Sequence, residues 1–488
     1  MEQGRFALGR GLVEDGLLGA AIAEFRRSLE LDPNVPHVWL HLATALLHQA
    51  RHAESLECYE RAAALNPPDV AQIDSARLLA MQYGALHSRE EIYAAHRAWA
   101  ARHAGPEVPR TRSFANDRDR GRRMRIAYLS PRFHKSSAAF LSVPVIVRHD
   151  PARFEVYCYA EQEASDEVTE RLLAAGVQWR KTWRIGDAEV VARMIEDRID
   201  IAVDLAGHSP GHRLGVMARR PAPVSMSWLE SFNTTGLDEV DCFVTDERHS
   251  PFGDGQSFSE RLLRLPQLRY AHEPPADLPE ARPLPSLAGK SGVTFGSFNR
   301  MAKVSRPVLE AWGAIVSQVP GSRLLIKNAS LDNPAEHADY RERFAAFGVP
   351  PDRLELRGSS SHAQMLAEYG EVDVVLDTFP YNGAITTFEA LLMGRPVVAL
   401  RGDVLLARQS SALLEVISRP GLAADTIASY VETACALARD PARLAAAADG
   451  MREALLASPA VDVPRFTRDW EHALAAAWAQ WCGKGSTR

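Results

Sequence analysis

The chain has 488 residues, 46% of them hydrophobic and 24% charged, with a formal net charge of −6. That length predicts about two to four domains rather than one core, and the composition is that of a soluble globular protein. The charge balance excludes a general affinity for nucleic acid, and no run of about 18 apolar residues offers a membrane span. Cys58, Cys158, Cys242, Cys435 and Cys482 are scattered without metal or redox spacing, which suits a reducing cytoplasm. The start, Met1–Arg5, lacks the apolar core of a signal peptide.

Residues 1–68 read as two tetratricopeptide repeats. Leu8, Gly9, Leu12, Ala21, Phe25 and Pro33 return 34 residues later as Leu42, Ala43, Leu46, Ser55, Tyr59 and Pro67. Each such unit is a helix pair that buries its apolar face on a neighbour, and two are few for independent stability. Of residues 69–123, the helical part over 69–104 is expected to supply the support. They begin as a helical extension with a capping pattern at Ser88–Glu91 before the Ile92–Ala104 helix. They end in a linker over 105–123 that is rich in Pro, Arg and Asp, and its basic run from Arg110 to Arg125 reads as a solvated surface.

A first α/β domain is expected over 124–275, with strands at Arg125–Ser130, Phe154–Tyr159, Ile199–Leu205, Val224–Leu229 and Cys242–Thr245. A Pro-rich crossing spans 276–290. A second α/β domain follows over 291–440, with strands at Val293–Phe298, Arg323–Lys327, Leu354–Leu356, Val374–Leu376 and Pro396–Leu400. Helices are expected from about Ala423, with 441–488 as a C-terminal helical segment that includes an amphipathic helix near Pro464–Trp481. Alternating strands and helices argue parallel doubly wound sheets, whose ligand sites lie at the carboxyl ends of the strands.

Three loops of the second domain occupy that edge. Phe298-Asn299-Arg300-Met301-Ala302-Lys303 offers Asn299, Arg300 and a lysine able to meet a phosphate as a point charge. Gly358–His362 offers Ser360 and His362. Asn382-Gly383-Ala384-Ile385-Thr386-Thr387 turns from an apolar strand into a helix, so free N–H groups around Thr386 and Thr387 favour a phosphate. Glu389, one turn on, suits a ribose. The competing reading of this last stretch is an ordinary strand-to-helix turn with a Thr cap.

The ordered set of repeats, His96–Ala100, Ser130-Pro131-Arg132-Phe133, Asp204–His208, Arg220–Val224, Ser227-Trp228-Leu229, Thr234-Thr235-Gly236, Phe298-Asn299, Lys303 and Leu376–Leu391 resembles the O-linked N-acetylglucosamine transferase family. The resemblance covers nearly the whole chain. It implies two Rossmann-like lobes of glycosyltransferase B type behind an all-α repeat region. It also implies an inverting, metal-independent transfer of N-acetylglucosamine from UDP-N-acetylglucosamine, or of a related nucleotide sugar, to Ser or Thr of a cytoplasmic protein. The nucleotide sugar is a co-substrate, with no cofactor, metal, nucleic acid or membrane expected. The repeats would recruit the acceptor protein, flagellin being one candidate.

By position, the resemblance gives Lys303 the role of neutralising the leaving diphosphate. Ser360 and His362 fall at the uracil edge, and Thr386 and Glu389 at phosphate and ribose. Arg408 also matches a family position and serves either the site or a surface ion pair. His134 and His208 are the imidazoles able to orient or deprotonate an acceptor hydroxyl, each with the alternative of a hydrogen-bonded loop histidine.

The departures are Ser136 in place of a family histidine, Ala384 and Ile385 before the threonines, and the loop Glu230–Gly236. They point to an altered donor or acceptor preference. They also support a rival reading, a repeat adaptor fused to a non-catalytic transferase domain. A third reading, a transferase acting on glycans or lipids, leaves the repeats idle.

Overall fold

The computed structural model describes residues 2–483. It opens with α1 (Glu2–Glu14), α2 (Leu18–Leu31), α3 (Pro36–His48), α4 (His52–Ala64), α5 (Val70–Ala80) and α6 (Arg89–His103). α1/α2 and α3/α4 are the two repeat hairpins. Ala21, Phe25, Leu42, Ala43, Leu46, Ser55 and Tyr59 are buried as the repeat pattern requires. Gly9 is needed for contact, since a Cβ there would lie 2.5 Å from the Phe25 ring. Leu8 departs from the pattern and is 53% exposed.

The helices of 69–123 do not stay together as one supporting segment. The chain forms two units, residues 1–88 with 275–458, and residues 89–274 with 459–488. α5 remains with the repeats, whereas α6 belongs to the other unit. The support comes from the second α/β lobe instead. His52 Nε2–H donates to the Ala302 carbonyl at 2.7 Å, and Gly19 N–H donates to Glu336 Oε2 at 3.1 Å. Tyr83 meets the Tyr381 ring, centroids 4.9 Å apart. These contacts satisfy helix-end and carbonyl groups that a two-repeat stack cannot pair within itself.

The first lobe continues through β1 (Met124–Ser130), α7 (Ser137–Ile146), β2 (Phe154–Ala160), α8 (Glu167–Ala174), β3 (Gln178–Lys181), α9 (Asp187–Glu196), β4 (Ile201–Asp204), α10 (Leu214–Met217), β5 (Val224–Ser227), β6 (Cys242–Asp246) and β7 (Arg261–Leu265). Its seven strands are ordered β3-β2-β1-β4-β5-β6-β7, and every pairing is parallel. The edge strands β3 and β7 escape the sequence reading. They are short, part-exposed and interrupted by charged residues, so they lack the apolar run that betrays a central parallel strand.

The second lobe runs β8 (Thr294–Ser297), α11 (Arg306–Gln318), β9 (Arg323–Lys327), α12 (His337–Ala346), β10 (Leu354–Arg357), α13 (His362–Glu368), β11 (Val374–Leu376), α14 (Ile385–Leu392), β12 (Val397–Leu400), α15 (Gln409–Val416), β13 (Ala423–Ala424), α16 (Ile427–Arg439), α17 (Pro441–Ala448) and α18 (Met451–Leu456). Ala423 thus opens a sixth strand rather than a helix. The order β10-β9-β8-β11-β12-β13 is the doubly wound one, with its topological switch between β8 and β11. The last helix, α19 (Val463–Gly483), leaves this lobe and packs on the sheet of the first, where Trp470 and Trp478 are buried among Tyr128, Trp228 and Leu265. The C-terminal segment expected over 441–488 therefore divides at Ser458.

Candidate functional site

The switch between β8 and β11 is closed by a buried carboxylate. Asp377, the residue after β11, accepts from Asn299 Nδ2 at 3.1 Å, Gly383 N–H at 2.8 Å and Ser410 Oγ at 2.6 Å. Its backbone carbonyl accepts from Tyr430 Oη at 2.8 Å. Burial pushes the Asp377 carboxyl up, and the hydrogen bonds from Ser410 and Gly383 pull it back. One side chain therefore fastens the loop after β8, the turn after β11 and the start of α15. Gly383 has to be glycine, because a Cβ there would lie 2.5 Å from Thr386 Oγ1.

Lys303 ends the 3₁₀ turn Met301–Lys303 and points at that turn. Its Nζ donates to the Asn382 carbonyl at 2.7 Å and lies 4.0 Å from the centroid of the Tyr381 ring. The residue is half-buried. Burial lowers its ammonium to about 7, against the pull of Asp377 and helped by Arg300. Arg300 itself is exposed, and Asn299 is buried.

α14 begins with an open N-terminus. Its cap residue, Ala384, has no side chain able to accept from the first-turn N–H groups. Thr386 Oγ1 donates to Asn299 Oδ1 at 3.0 Å, and Thr387 Oγ1 bonds Ser410 Oγ at 2.7 Å inside the lobe. Neither threonine caps the helix, so that alternative does not describe the turn. Ala384, Ile385 and Thr386 are the part-exposed residues here, whereas Thr387 is buried.

The third loop follows β10. Ser361 caps α13 in a capping box with Gln364, and His362 Nε2 bonds the buried Glu389 Oε1 at 2.8 Å. Ser360 Oγ, Asn382 Oδ1 and Arg408 Nε are enclosed side-chain atoms with no hydrogen-bond partner. Native proteins rarely leave such atoms unsatisfied, and a bound polar ligand is one resolution. The second lobe therefore brings together Asn299, Lys303, Asn382, Gly383, Thr386 and Thr387, with His362 and Glu389 joined beside them.

The histidines belong to the other unit. His208 follows β4 and is buried; its Nε2–H donates to the Thr235 carbonyl at 2.9 Å. It lies edge-on to Trp99 at 4.8 Å and to His96 at 4.9 Å. Burial, then the neighbouring His96 and His212, hold its imidazole well below the usual histidine range. His134 is part-exposed in the loop after β1, and Ser136 caps α7 by accepting from Ala139 N–H at 3.2 Å.

The altered loop Glu230–Gly236 is anchored rather than loose. Thr234 Oγ1 and Thr235 N–H donate to the buried Glu260 at 2.6 and 2.7 Å, and Glu230 pairs Arg132 at 3.0 Å. The sequence reading gave no role to Asp377, Tyr381, Ser410 or Glu260. Asp377 had a signal, a carboxylate directly after an apolar strand, and the other three had none.

A doubly wound lobe presents an ammonium and an uncapped helix at its switch point, features that favour an anion there. Among known proteins, the model of glycosyl transferase family 41 matches residues 81–273 and 283–470. A tetratricopeptide repeat model matches residues 12–80. The chain belongs to glycosyl transferase family 41.

It is similar to proteins of Petunia hybrida and Arabidopsis thaliana described as probable UDP-N-acetylglucosamine–peptide N-acetylglucosaminyltransferase SPINDLY. The first is 34% identical over 85% of this chain and 45% of its own length, the second 32% identical over 85% and 46%. The chain thus spans about half the length of these curated relatives. A solved mutant of the Thermobaculum terrenum O-GlcNAc transferase superposes with a TM-score of 0.93 at 33% identity, covering 99% of this chain and 92% of that one. The two parallel-sheet lobes behind a helical repeat region are those the resemblance implies.

Proposed function

We propose that the protein is an inverting O-glycosyltransferase that moves a sugar from a nucleotide donor to Ser or Thr hydroxyls of a protein acceptor. UDP-N-acetylglucosamine is the donor we favour, in keeping with the names of the relatives. The observation that carries this reading is the convergence of the Lys303 ammonium and the open N-terminus of α14 on the Asn382–Thr386 turn. Negative charge grows on the leaving diphosphate as the sugar bond breaks. A cation and oriented N–H groups already in place favour that charge more than they favour the ground state.

To the His362–Glu389 pair we assign base and ribose, and Ser360 and Arg408 offer the unsatisfied groups. No step here calls for a metal. For the acceptor hydroxyl we assign the proton to His134 rather than His208. His134 is part-exposed, whereas His208 is enclosed and donates its Nε2–H to a carbonyl.

The repeats suit capture of a polypeptide, with flagellin a candidate acceptor and the cytoplasm the place of reaction. The test incubates the full chain and a cell lysate with UDP-N-acetylglucosamine, UDP-glucose, GDP-fucose or a CMP-nonulosonate and follows acceptor mass. An N-acetylhexosamine increment with the first donor is expected. No increment with any donor, together with no heat on titrating UDP, would leave the adaptor reading in its place.

A further inference from the structure

A second polar recess belongs to the first lobe and uses none of the residues above. It lies at the opposite edge of that sheet from the strand-end loops, against the first residues of β5, β6 and β7, Val224, Cys242 and Arg261, and encloses about 470 Å³. Among the described residues four arginines line it, Arg112, Arg118, Arg220 and Arg261, with Asp241 as the one carboxylate and Trp481 of α19 as an aromatic wall.

The lining carries an excess of positive charge. Asp241 is engaged by Arg220 at 3.1 Å. Arg261 reaches neutral partners, Cys242 Sγ at 3.1 Å and Gln480 Oε1 at 3.3 Å. Arg118 lies flat over the Trp481 ring, 4.3 Å from its centroid. Arg112 is exposed and makes no hydrogen bond or ion pair among the described residues.

The linker that carries Arg112 and Arg118 is not a random solvated coil, as its composition predicts. Thr111 N–H donates to the Arg219 carbonyl at 3.0 Å on one side. On the other, Asn116 and Arg122 bond Asp200, the latter at 2.6 Å. The backbone that carries the two arginines is therefore held between anchors, so less backbone entropy is lost when they meet a ligand. A concave site with an excess of one sign concentrates counter-ions. Planar guanidinium forks match phosphate oxygens two at a time, and an indole with a stacked guanidinium offers a flat wall to a ring. The volume is that of a nucleotide-sized ligand rather than a single phosphate.

The geometry points to a binding site for an oligophosphate ligand of nucleotide size, separate from the donor site. The test titrates inorganic pyrophosphate, ATP and hexaglutamate into the full chain by calorimetry. It uses the natural sequence, Lys303→Ala, and the pair Arg112→Glu with Arg261→Glu.

Binding of pyrophosphate and ATP is expected in the natural sequence and in Lys303→Ala. The double variant should lose about tenfold or more in affinity, as removal of two charge-assisted contacts implies. Tighter ATP than pyrophosphate would show that the ring engages Trp481; equal affinity would show recognition of the phosphates alone. If the double variant melts early, Arg112→Gln, at a side chain with no contacts to lose, should still weaken binding severalfold. Equal affinity in all forms, no binding of either phosphate compound, or binding of hexaglutamate alone would overturn the assignment. Because Lys303→Ala is a separate arm, failure of the donor-site reading leaves this outcome legible.

Discussion

Lys303 holds its proton only to about pH 7, so whatever arrives beside it changes its charge. A diphosphate brings negative charge, raises that pKa and draws a proton from solvent. UDP affinity should therefore be flat below pH 7 and fall above it, by up to about tenfold per unit. Calorimetry at pH 8 in buffers of different ionisation enthalpy should show net proton uptake that Lys303→Met abolishes. The sign for stability follows. The folded pKa lies below the unfolded one, so between pH 7 and the ordinary lysine range the unfolded chain binds more protons. The penalty is complete below about pH 7 and is relieved as pH rises. Lys303→Met should then raise the melting temperature at pH 6 more than at pH 9, while kcat falls about 10²–10³-fold, the usual loss of one preorganised stabiliser. The placement of Lys303 in the loop after β8 was legible in the sequence, because a buried apolar strand ends just before it. Asp377 was not assigned, because a carboxylate inside Leu-Asp-Thr-Phe-Pro reads as turn chemistry until its three partners, each distant in sequence or across a turn, are seen to meet on it.

At the scale of elements, the site depends on helices that carry none of its ligand groups. α4 sends His52 Nε2–H to the Ala302 carbonyl, the residue before Lys303, and Tyr83 beyond α5 backs Tyr381, the ring beneath the ammonium. His52→Leu leaves a buried carbonyl unpaired, a cost of about 1–3 kcal/mol, and loosens the 3₁₀ turn. UDP binding should weaken severalfold with the repeats still helical by circular dichroism. His52→Gln, which keeps a donor, should recover much of it, and equal loss in both would assign His52 to packing alone. Asp377→Asn breaks the junction of β8, β11, α14 and α15. It should lower the melting temperature by more than Lys303→Met raises it, and a variant as stable as the parent would refute that hub. The repeat helices and the central strands were legible from their periods, since burial on both faces writes a continuous apolar run. β3, β7 and β13 were not, being short edge strands whose half-exposed residues carry no such signature.

Across the whole molecule, sequence order and spatial order part company twice. The Ser88 boundary assigns the repeats to the later lobe, and the Ser458 boundary returns the chain end to the earlier one. Amphipathic period marks α19 as a helix with one apolar face, but it does not say which sheet that face covers; that depends on aromatic contacts made far back in the chain. Trp470 stacks on Trp228 at 5.1 Å and donates its Nε1–H to Tyr128 Oη at 2.8 Å, while Glu471 meets His149 at 3.1 Å. α19 is thus core for β1, β4 and β5 rather than a terminal appendage. Trp470→Ala removes a fully buried indole and one of the two hydrogen bonds of the Tyr128 hydroxyl, which keeps His149 Nε2 at 2.7 Å, a cost of about 3–5 kcal/mol. The loss should fall on one unit. Hydrogen exchange followed by mass spectrometry should show β1, β4 and β5 losing protection, while β8, β11 and α14 keep theirs and UDP still protects the Asn382–Thr386 turn. Even loss of protection across both sheets would mean that the two units unfold together and that the boundary at Ser458 has no energetic counterpart.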